Sequence, residues 1–259
     1  MSLEDKAPPK ADLPDAHEML SQTNWATLNH AYGRATDAPI TLVALLDADP
    51  SVRTKALNKL HDVLHHQNTI YEATVPAAQY VASILPDSRT LLPVDKARHA
   101  FPGCLRAELL LWIASVAVEV TDAMDAVRQL HGFPLEDYPP AVAIREMRPI
   151  LFRAACTYVD DPDRHVCEAA ITACIPLLDD ARLLEHRPAL VPLIRQVLGT
   201  SDLWQHRERA IDALDSWGED FAGIQGQRNP FLFCDTDLSP DNPPWRSEPA
   251  EGWSDPPPF

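Results

Sequence analysis

Two histidines in the segment KLHDVLHHQ have the spacing that can place two imidazoles on one metal ion. His61 and His65 are four residues apart, so on a helix they lie one turn apart on the same face. No glutamate follows His61 as in the HExxH motif of zinc proteases, and no third ligand is evident nearby. The alternative is a solvated helix end, where cationic side chains interact favourably with the helix dipole. We expect the solvated end, and therefore no metal and no cofactor.

Other forms of catalytic chemistry have little support in the sequence. There is no GxSxG nucleophile elbow and no glycine-rich phosphate loop. The cysteines number five, an odd count, and none of them form a CxxC pair. Most lie in segments with an apolar helical pattern, where burial raises the pKa of a thiol. We therefore predict no catalytic residue, and free cysteines of this kind favour a reducing compartment.

Acidic residues recur in two segments that read as helices, VEVTDAMDAV and RERAIDALDSW. The residues concerned are Glu119, Asp122, Asp125, Glu208, Asp212 and Asp215. If these helices line one face, they form an acidic groove for a basic protein; the alternative is an ordinary solvated face. Tyr71 and Trp204 begin predicted helices and are candidate aromatic anchors for such a partner.

The net charge narrows the class of partner. With 22 Lys and Arg against 38 Asp and Glu it is −16, which repels nucleic acid and anionic lipid and attracts basic proteins. No apolar run reaches transmembrane length, and the N-terminus has no apolar signal segment. The longest candidate, CLRAELLLWIASVAVEV, contains Arg106 and Glu108 and predicts a buried core helix with Trp112 inside. We predict no nucleic-acid partner, no membrane association and a cytoplasmic location.

The elements that must position these residues are helices separated by Asp-containing turns. In LLDADPSVRTKALNKL, Ser51 is predicted to cap a helix that runs to about His66. Its apolar residues fall on one face, with Arg53 and Lys55 pointing away from it. Upstream, NWATLNHAYG predicts a short helix from an Asn24 cap to Gly33, and TDAPITLVALLDAD predicts another.

The same pattern returns along the chain. RERAIDAL matches RTKALNKL, while VDDPDRHVCEAAITACIPLL and LRAELLLWI are weaker copies at irregular intervals. A proline-containing helix precedes each downstream copy, for example YEATVPAAQYVASIL and IREMRPILFRAACTYV.

A bent first helix, an Asp turn and a second helix that opens Val-Arg resemble the HEAT-repeat family. The resemblance implies an all-α fold, a right-handed α-solenoid of about four to five helix pairs. We expect an N-terminal arm at 1–18, the helical repeats at 19–218 and an irregular proline-rich segment at 219–259. Within the last, Phe231, Phe233 and Trp245 are expected to pack back onto the final helix pair. Residues 86–103 are expected to hold a short extra helix or a functional loop.

The opening NWATLNHAYGRATDAPITLVALLDAD, together with HHQNTIYEATVPAAQYV, is similar to the start of bacterial HEAT-like proteins encoded beside secreted polymorphic toxins. This resemblance implies a cytoplasmic immunity protein that binds a cognate, basic toxin domain and blocks it. It implies contact roles for Tyr71 and Glu72 and transfers no catalytic residue. Two alternatives stay open: an enzyme on the same scaffold, such as a lyase or a metal-dependent hydrolase, and a generic assembly scaffold.

Overall fold

The chain folds mainly into helices. A computed structural model describes residues 13–94 and 103–224, and this part contains ten α-helices. They are α1 Ala16–Gln22, α2 Ala38–Ala44, α3 Pro50–Asp62, α4 Thr74–Ile84, α5 Leu105–Val118, α6 Asp122–Leu130, α7 Pro139–Cys156, α8 Arg164–Leu177, α9 Arg187–Thr200 and α10 Trp204–Ser216. A small antiparallel hairpin pairs β1 Asn29–His30 with β2 Gly33–Arg34. The all-α class is confirmed.

The helices pack as consecutive pairs, α2 on α3, α4 on α5, α7 on α8 and α9 on α10. The first helices α2, α4 and α7 also contact one another in series, and so do the second helices α5, α8 and α10. Helix α5 packs most extensively against α8 and is buried on almost every side. Trp112 of α5 is fully buried as predicted, and its indole N–H donates to Leu60 O at 3.2 Å. Helix α6 lies between two pairs in the sequence and belongs to neither.

Arg53 does not point away from the core, as the sequence predicts, but is buried. Its guanidinium donates to Asp47 O and Ala48 O, both at 2.8 Å, and to Pro93 O at 2.6 Å. The prediction of an exposed side chain is wrong because these carbonyls have no helical partner and need a donor. Lys55 is exposed, as predicted.

Arg106, in the next helix pair, is likewise buried and donates hydrogen bonds to turn residues. It donates to Leu85 O at 3.0 Å and to Thr90 Oγ1 at 3.1 Å. Its charge lies 3.8 Å from the Asp161 carboxylate and 4.8 Å from the centre of the Tyr158 ring. Each arginine therefore connects the turn before its own helix to the turn of the following pair.

Aspartates cap two of the second helices, α3 and α8. Asp49 caps α3 by accepting from Ser51 N, and Asp163 caps α8 by accepting from His165 N, both at 2.8 Å. The predicted cap at Ser51 is wrong because Asp49 is the N-cap and Ser51 lies inside the first turn of α3. Helix α3 also ends at Asp62, before His66, with Val63 as its C-cap.

The segment from Asn24 to Gly33 is not the predicted helix. It forms a 3-10 turn, Trp25–Thr27, followed by the β1–β2 hairpin, and Gly33 has φ +123°. Distant groups satisfy its backbone instead: Asn29 N–H donates to the Glu72 carboxylate at 2.8 Å, and Ala31 N–H donates to Val63 O.

The ends of the chain fall partly outside the description. Helix α1 begins at Ala16, inside the predicted arm 1–18, with Asp15 as its cap. The expected packing of Phe231, Phe233 and Trp245 lies outside the described residues. Within 86–103, Ser88–Leu91 form a 3-10 helix, and residues 95–102 are not described. Among the described residues, none of the helices has the length and apolar character needed to cross a membrane.

Candidate functional site

A cavity of about 420 Å³ opens where the end of α3 meets α5, α8 and the start of α10. We call it the histidine pocket. Its polar lining comes from α3 and the turn after it, from α5, from α8 and from α10. The polar residues are His61, His65, His66, Gln67, Asn68, Ser115, Thr172, Gln205, His206 and Arg209. Leu111 and Leu203 add apolar surface, and Asp62 lies at its exposed edge. A cavity of this size suits a small molecule.

His65 is buried, so the expected solvated helix end is wrong for this residue. Only 4% of its surface is exposed, and burial lowers its pKa to about 4. The Ser115 hydroxyl donates to Trp112 O at 2.8 Å, and its oxygen lies 3.3 Å from His65 Nδ1. Because the only hydroxyl proton is already used, Nδ1 must be the donor in this contact. His65 is therefore neutral and presents an unprotonated Nε2.

His206 is held by a carboxylate from α8. Its Nδ1 lies 3.5 Å from Glu168 Oε2, and the same carboxylate accepts from Ser201 Oγ at 2.6 Å and from Arg164 Nε at 2.7 Å. Burial opposes ionisation of Glu168, but hydrogen bonds from His206, Ser201 and Arg164 together lower its pKa to about 2. The ionised carboxylate fixes the proton on Nδ1, so Nε2 of His206 is the nitrogen left for other partners.

Three pocket side chains that are more than nine-tenths buried each carry a polar atom with no hydrogen-bond partner within the described residues: His65 Nε2, His206 Nε2 and Thr172 Oγ1. Their residues are 4%, 3% and 2% exposed. An unsatisfied buried polar group costs about 1–3 kcal/mol of stability. Three of them line this one cavity.

Arg209 contributes a half-buried positive charge. Burial lowers its pKa, and the neighbouring carboxylates Asp212 and Glu208 on the same helix oppose this effect. In the part of the chain that the structure describes, no group of three or more His, Cys, Asp or Glu side chains could hold a metal ion. The pocket therefore offers hydrogen-bonding groups and a cation, and no metal-ligand set.

A second unusual region is the surface of α6, which we call the α6 surface and define as Ala123, Ala126, Val127, Leu130 and Phe133. No residue of α6 is buried. Val127, Leu130 and Phe133 are 48%, 85% and 72% exposed. Residues 123, 126, 127 and 130 fall on one helical face, so an apolar stripe faces solvent. The exposed carboxylates of Asp122, Glu136 and Asp137 flank it in sequence.

The polar side of α6 faces the protein. Asp125 Oδ1 accepts from Leu135 N at 2.9 Å, and its other oxygen lies 3.4 Å from Arg145. The hydrogen bond from Leu135 and the Arg145 charge lower the pKa of Asp125. Asp122 also pairs with Arg145. The usual arrangement of a surface helix is thus reversed, because polar groups attach α6 to the protein and apolar groups face out.

The acidic residues predicted to contact a partner do not all reach the surface. Glu119 is 7% exposed, and burial raises its pKa with the Arg128 charge opposing. It cannot belong to an exposed acidic groove, because it lies at the buried C-cap of α5. The carboxylates of α10, which are Glu208, Asp212 and Asp215, are exposed as predicted, while Trp204 is half-buried at the start of that helix.

Tyr71 and Glu72 precede α4 and border a shallow groove with Tyr138. The Glu72 carboxylate accepts from both Asn29 N and Asn29 Nδ2 at 2.8 Å, which attaches the hairpin to this segment. Burial raises the pKa of Tyr138, and the charges of Tyr71, Arg128 and Glu72 act on it as well. The groove therefore lies between the start of α4 and the start of α7, whereas the acidic residues of α10 lie on a separate element.

Sequence reasoning missed the histidine pocket as a unit. Of its lining, only the His61 and His65 spacing gave a signal. Glu168, His206 and Ser115 come from distant segments, and no local pattern connects them. Comparison with known protein families, with curated proteins and with solved structures gave no match.

Proposed function

We propose that this protein binds a basic protein partner through the α6 surface and acts as an immunity protein that blocks a toxin domain. The observation that supports docking is the reversed amphipathy of α6. Leu130 and Phe133 are large apolar residues, three positions apart, and both are mostly exposed to solvent. Contiguous exposed apolar residues of this kind mark interaction sites. A large exposed aromatic residue beside aliphatic ones is typical of an interface anchor.

Acidic residues around the α6 surface favour a basic partner. Asp122, Glu136 and Asp137 border the apolar stripe, and the chain as a whole carries −16. Acidic residues at the rim of an apolar patch accelerate encounter with a basic protein and repel acidic ones. The toxin role is supported by the resemblance of the N-terminal third to HEAT-like immunity proteins, which also implies a right-handed solenoid and action in the cytoplasm.

The test is to express any toxin-like domain encoded beside this gene and to measure its binding to the full chain by calorimetry. Leu130→Asp combined with Phe133→Asp should weaken binding about 30-fold, since central anchors contribute about 2 kcal/mol or more. Ile40→Asp is the matched control, because Ile40 is 76% exposed but lies on α2. Protection of cells from the toxin should be lost with the first variant and kept with the second.

The acidic face of α10 is tested separately. Reversing the charges of Glu208, Asp212 and Asp215 to Lys should slow association up to about tenfold at low salt and have little effect at high salt. If this variant alone weakens binding, α10 is the docking face and the α6 proposal is wrong. If no toxin domain binds at all, the immunity role is wrong.

A further inference from the structure

We propose that the histidine pocket binds a small oxyacid that carries at least one O–H group, such as a protonated phosphate group or a hydroxy acid. This inference does not depend on the proposed protein-binding function. It rests on the hydrogen-bonding groups that the pocket leaves available and on their arrangement around one cavity.

The unpartnered groups converge from three elements. His65 follows α3, Thr172 belongs to α8 and His206 belongs to α10. All three side chains are more than nine-tenths buried and line the same cavity. Since buried polar groups in native proteins are almost always hydrogen-bonded, three free ones around a single cavity indicate a molecule that completes them.

The state of His65 requires a donor on the ligand. Its Nδ1 proton is given to Ser115, so Nε2 has only a lone pair to offer. The low pKa of His65 keeps the ring neutral across the physiological range. A ligand atom at Nε2 must therefore carry hydrogen, as an acid O–H or a hydroxyl does and a fully deprotonated anion does not.

The part of the pocket lined by α10 favours an anion. Arg209 supplies a half-buried cation, and the Thr172 hydroxyl can donate to oxygen. Asp62 lies at the α3 edge of the cavity, where it disfavours negative charge. The ligand should thus place its O–H toward His65 and its charged oxygens toward Arg209.

The experiment compares two matched pairs of anions by calorimetry on the full chain. Phosphate retains a proton at pH 7 and sulfate does not, so phosphate should bind at least about tenfold more tightly. Glycolate has a hydroxyl that acetate lacks, and it should bind more tightly than acetate by a similar factor if a hydroxy acid is the natural ligand. A preference within only one pair identifies which source supplies the ligand. No saturable binding of any of the four anions would overturn the proposal, because the cavity then holds only water.

Two substitutions assign the roles. Arg209→Met should weaken all binding about tenfold without changing the preference for the protonated anion. His65→Phe keeps a ring against Trp112 but removes the acceptor, so it should abolish the preference. If His65→Phe does not fold, as judged by circular dichroism, Thr172→Val serves instead and should weaken phosphate binding severalfold. Equal binding within both pairs of anions by the unmodified protein, or binding unchanged in Arg209→Met, contradicts the assignment.

Discussion

The histidine pocket and the α6 surface depart from ordinary protein architecture in opposite directions. In the pocket, polar atoms of His65, Thr172 and His206 are buried and have no hydrogen-bond partner in the part of the chain that the structure describes. On α6, Leu130 and Phe133 are exposed without cover. Both arrangements cost free energy in the isolated chain, the first through lost hydrogen bonds and the second through hydrated apolar area.

The difference indicates what kind of molecule would relieve each cost. Unpaired polar atoms around a cavity of about 420 Å³ can be satisfied by a small ligand. An apolar stripe on a convex helix has no enclosing walls, so only a large surface can cover it. The two regions are therefore expected to respond differently to substitution, and stability measurements on the free protein can distinguish them.

The largest expected effect is at the wall of the pocket, where the polar groups are satisfied. Glu168→Ala removes the acceptor shared by His206, Ser201 and Arg164. The free energy of unfolding should fall by about 3 kcal/mol, since the buried donors of His206 and Ser201 lose their acceptor and the exposed Arg164 loses its ion pair. Urea unfolding at pH 7 measures this loss. A change below about 1 kcal/mol would mean that water readily replaces the carboxylate.

The same carboxylate predicts a pH dependence. Its pKa is lowered from 4.5 to about 2 in the folded protein, so its contribution is fully present above pH 4.5 and is lost as the pH falls toward 2. The stability difference between the unmodified protein and Glu168→Gln should therefore shrink over that range. A difference that stays constant from pH 7 to pH 3 would show that Glu168 is not held as a carboxylate.

An intermediate effect is expected at two buried threonines, where the same substitution should change the free energy of unfolding in opposite directions. Thr172 Oγ1 has no partner among the described residues, whereas Thr74 Oγ1 donates to Leu64 O and accepts from Tyr71 N at 2.8 Å. Thr172→Val should raise the free energy of unfolding by about 1 kcal/mol, and Thr74→Val should lower it by about 1–2 kcal/mol. Both are measured by urea unfolding without added anions. Destabilisation by Thr172→Val would show that the pocket is already satisfied in the free protein.

Local features of the fold could be predicted from the sequence because short-range chemistry sets them. The Asp-Pro turn before α3 and the Asp cap of α8 depend on groups within a few residues. The prediction that Arg53 points outward was wrong because one of its hydrogen-bond acceptors, Pro93 O, is distant in the sequence and no local pattern indicates it. The prediction of a helix from Asn24 to Gly33 was wrong for the same reason, since the distant Glu72 carboxylate accepts the hydrogen bond from Asn29 N–H.

The two candidate sites were less predictable than the fold. The segment DAMDAVRQL shows an amphipathic helix, but amphipathy does not say which side faces the protein. Only the contacts of Asp125 with Leu135 and Arg145 show that the polar side is attached. The histidine pocket depends on the Glu168–His206 contact, and these two residues carry no signal in the sequence that would connect them.

The smallest expected effect separates the α6 surface from a structural role. Leu130→Glu replaces an 85% exposed side chain and should change the free energy of unfolding by less than about 0.5 kcal/mol. Leu135→Ala, which truncates a residue only 1% exposed in the adjoining segment, should lower it by about 2–4 kcal/mol. Urea unfolding of the two variants gives the comparison directly. Stability untouched by Leu130→Glu shows that the stripe is free for a partner, because a side chain that packs within its own fold cannot become charged without loss. If Leu130→Glu instead costs as much as Leu135→Ala, the stripe is covered within the chain itself and α6 is not a docking surface.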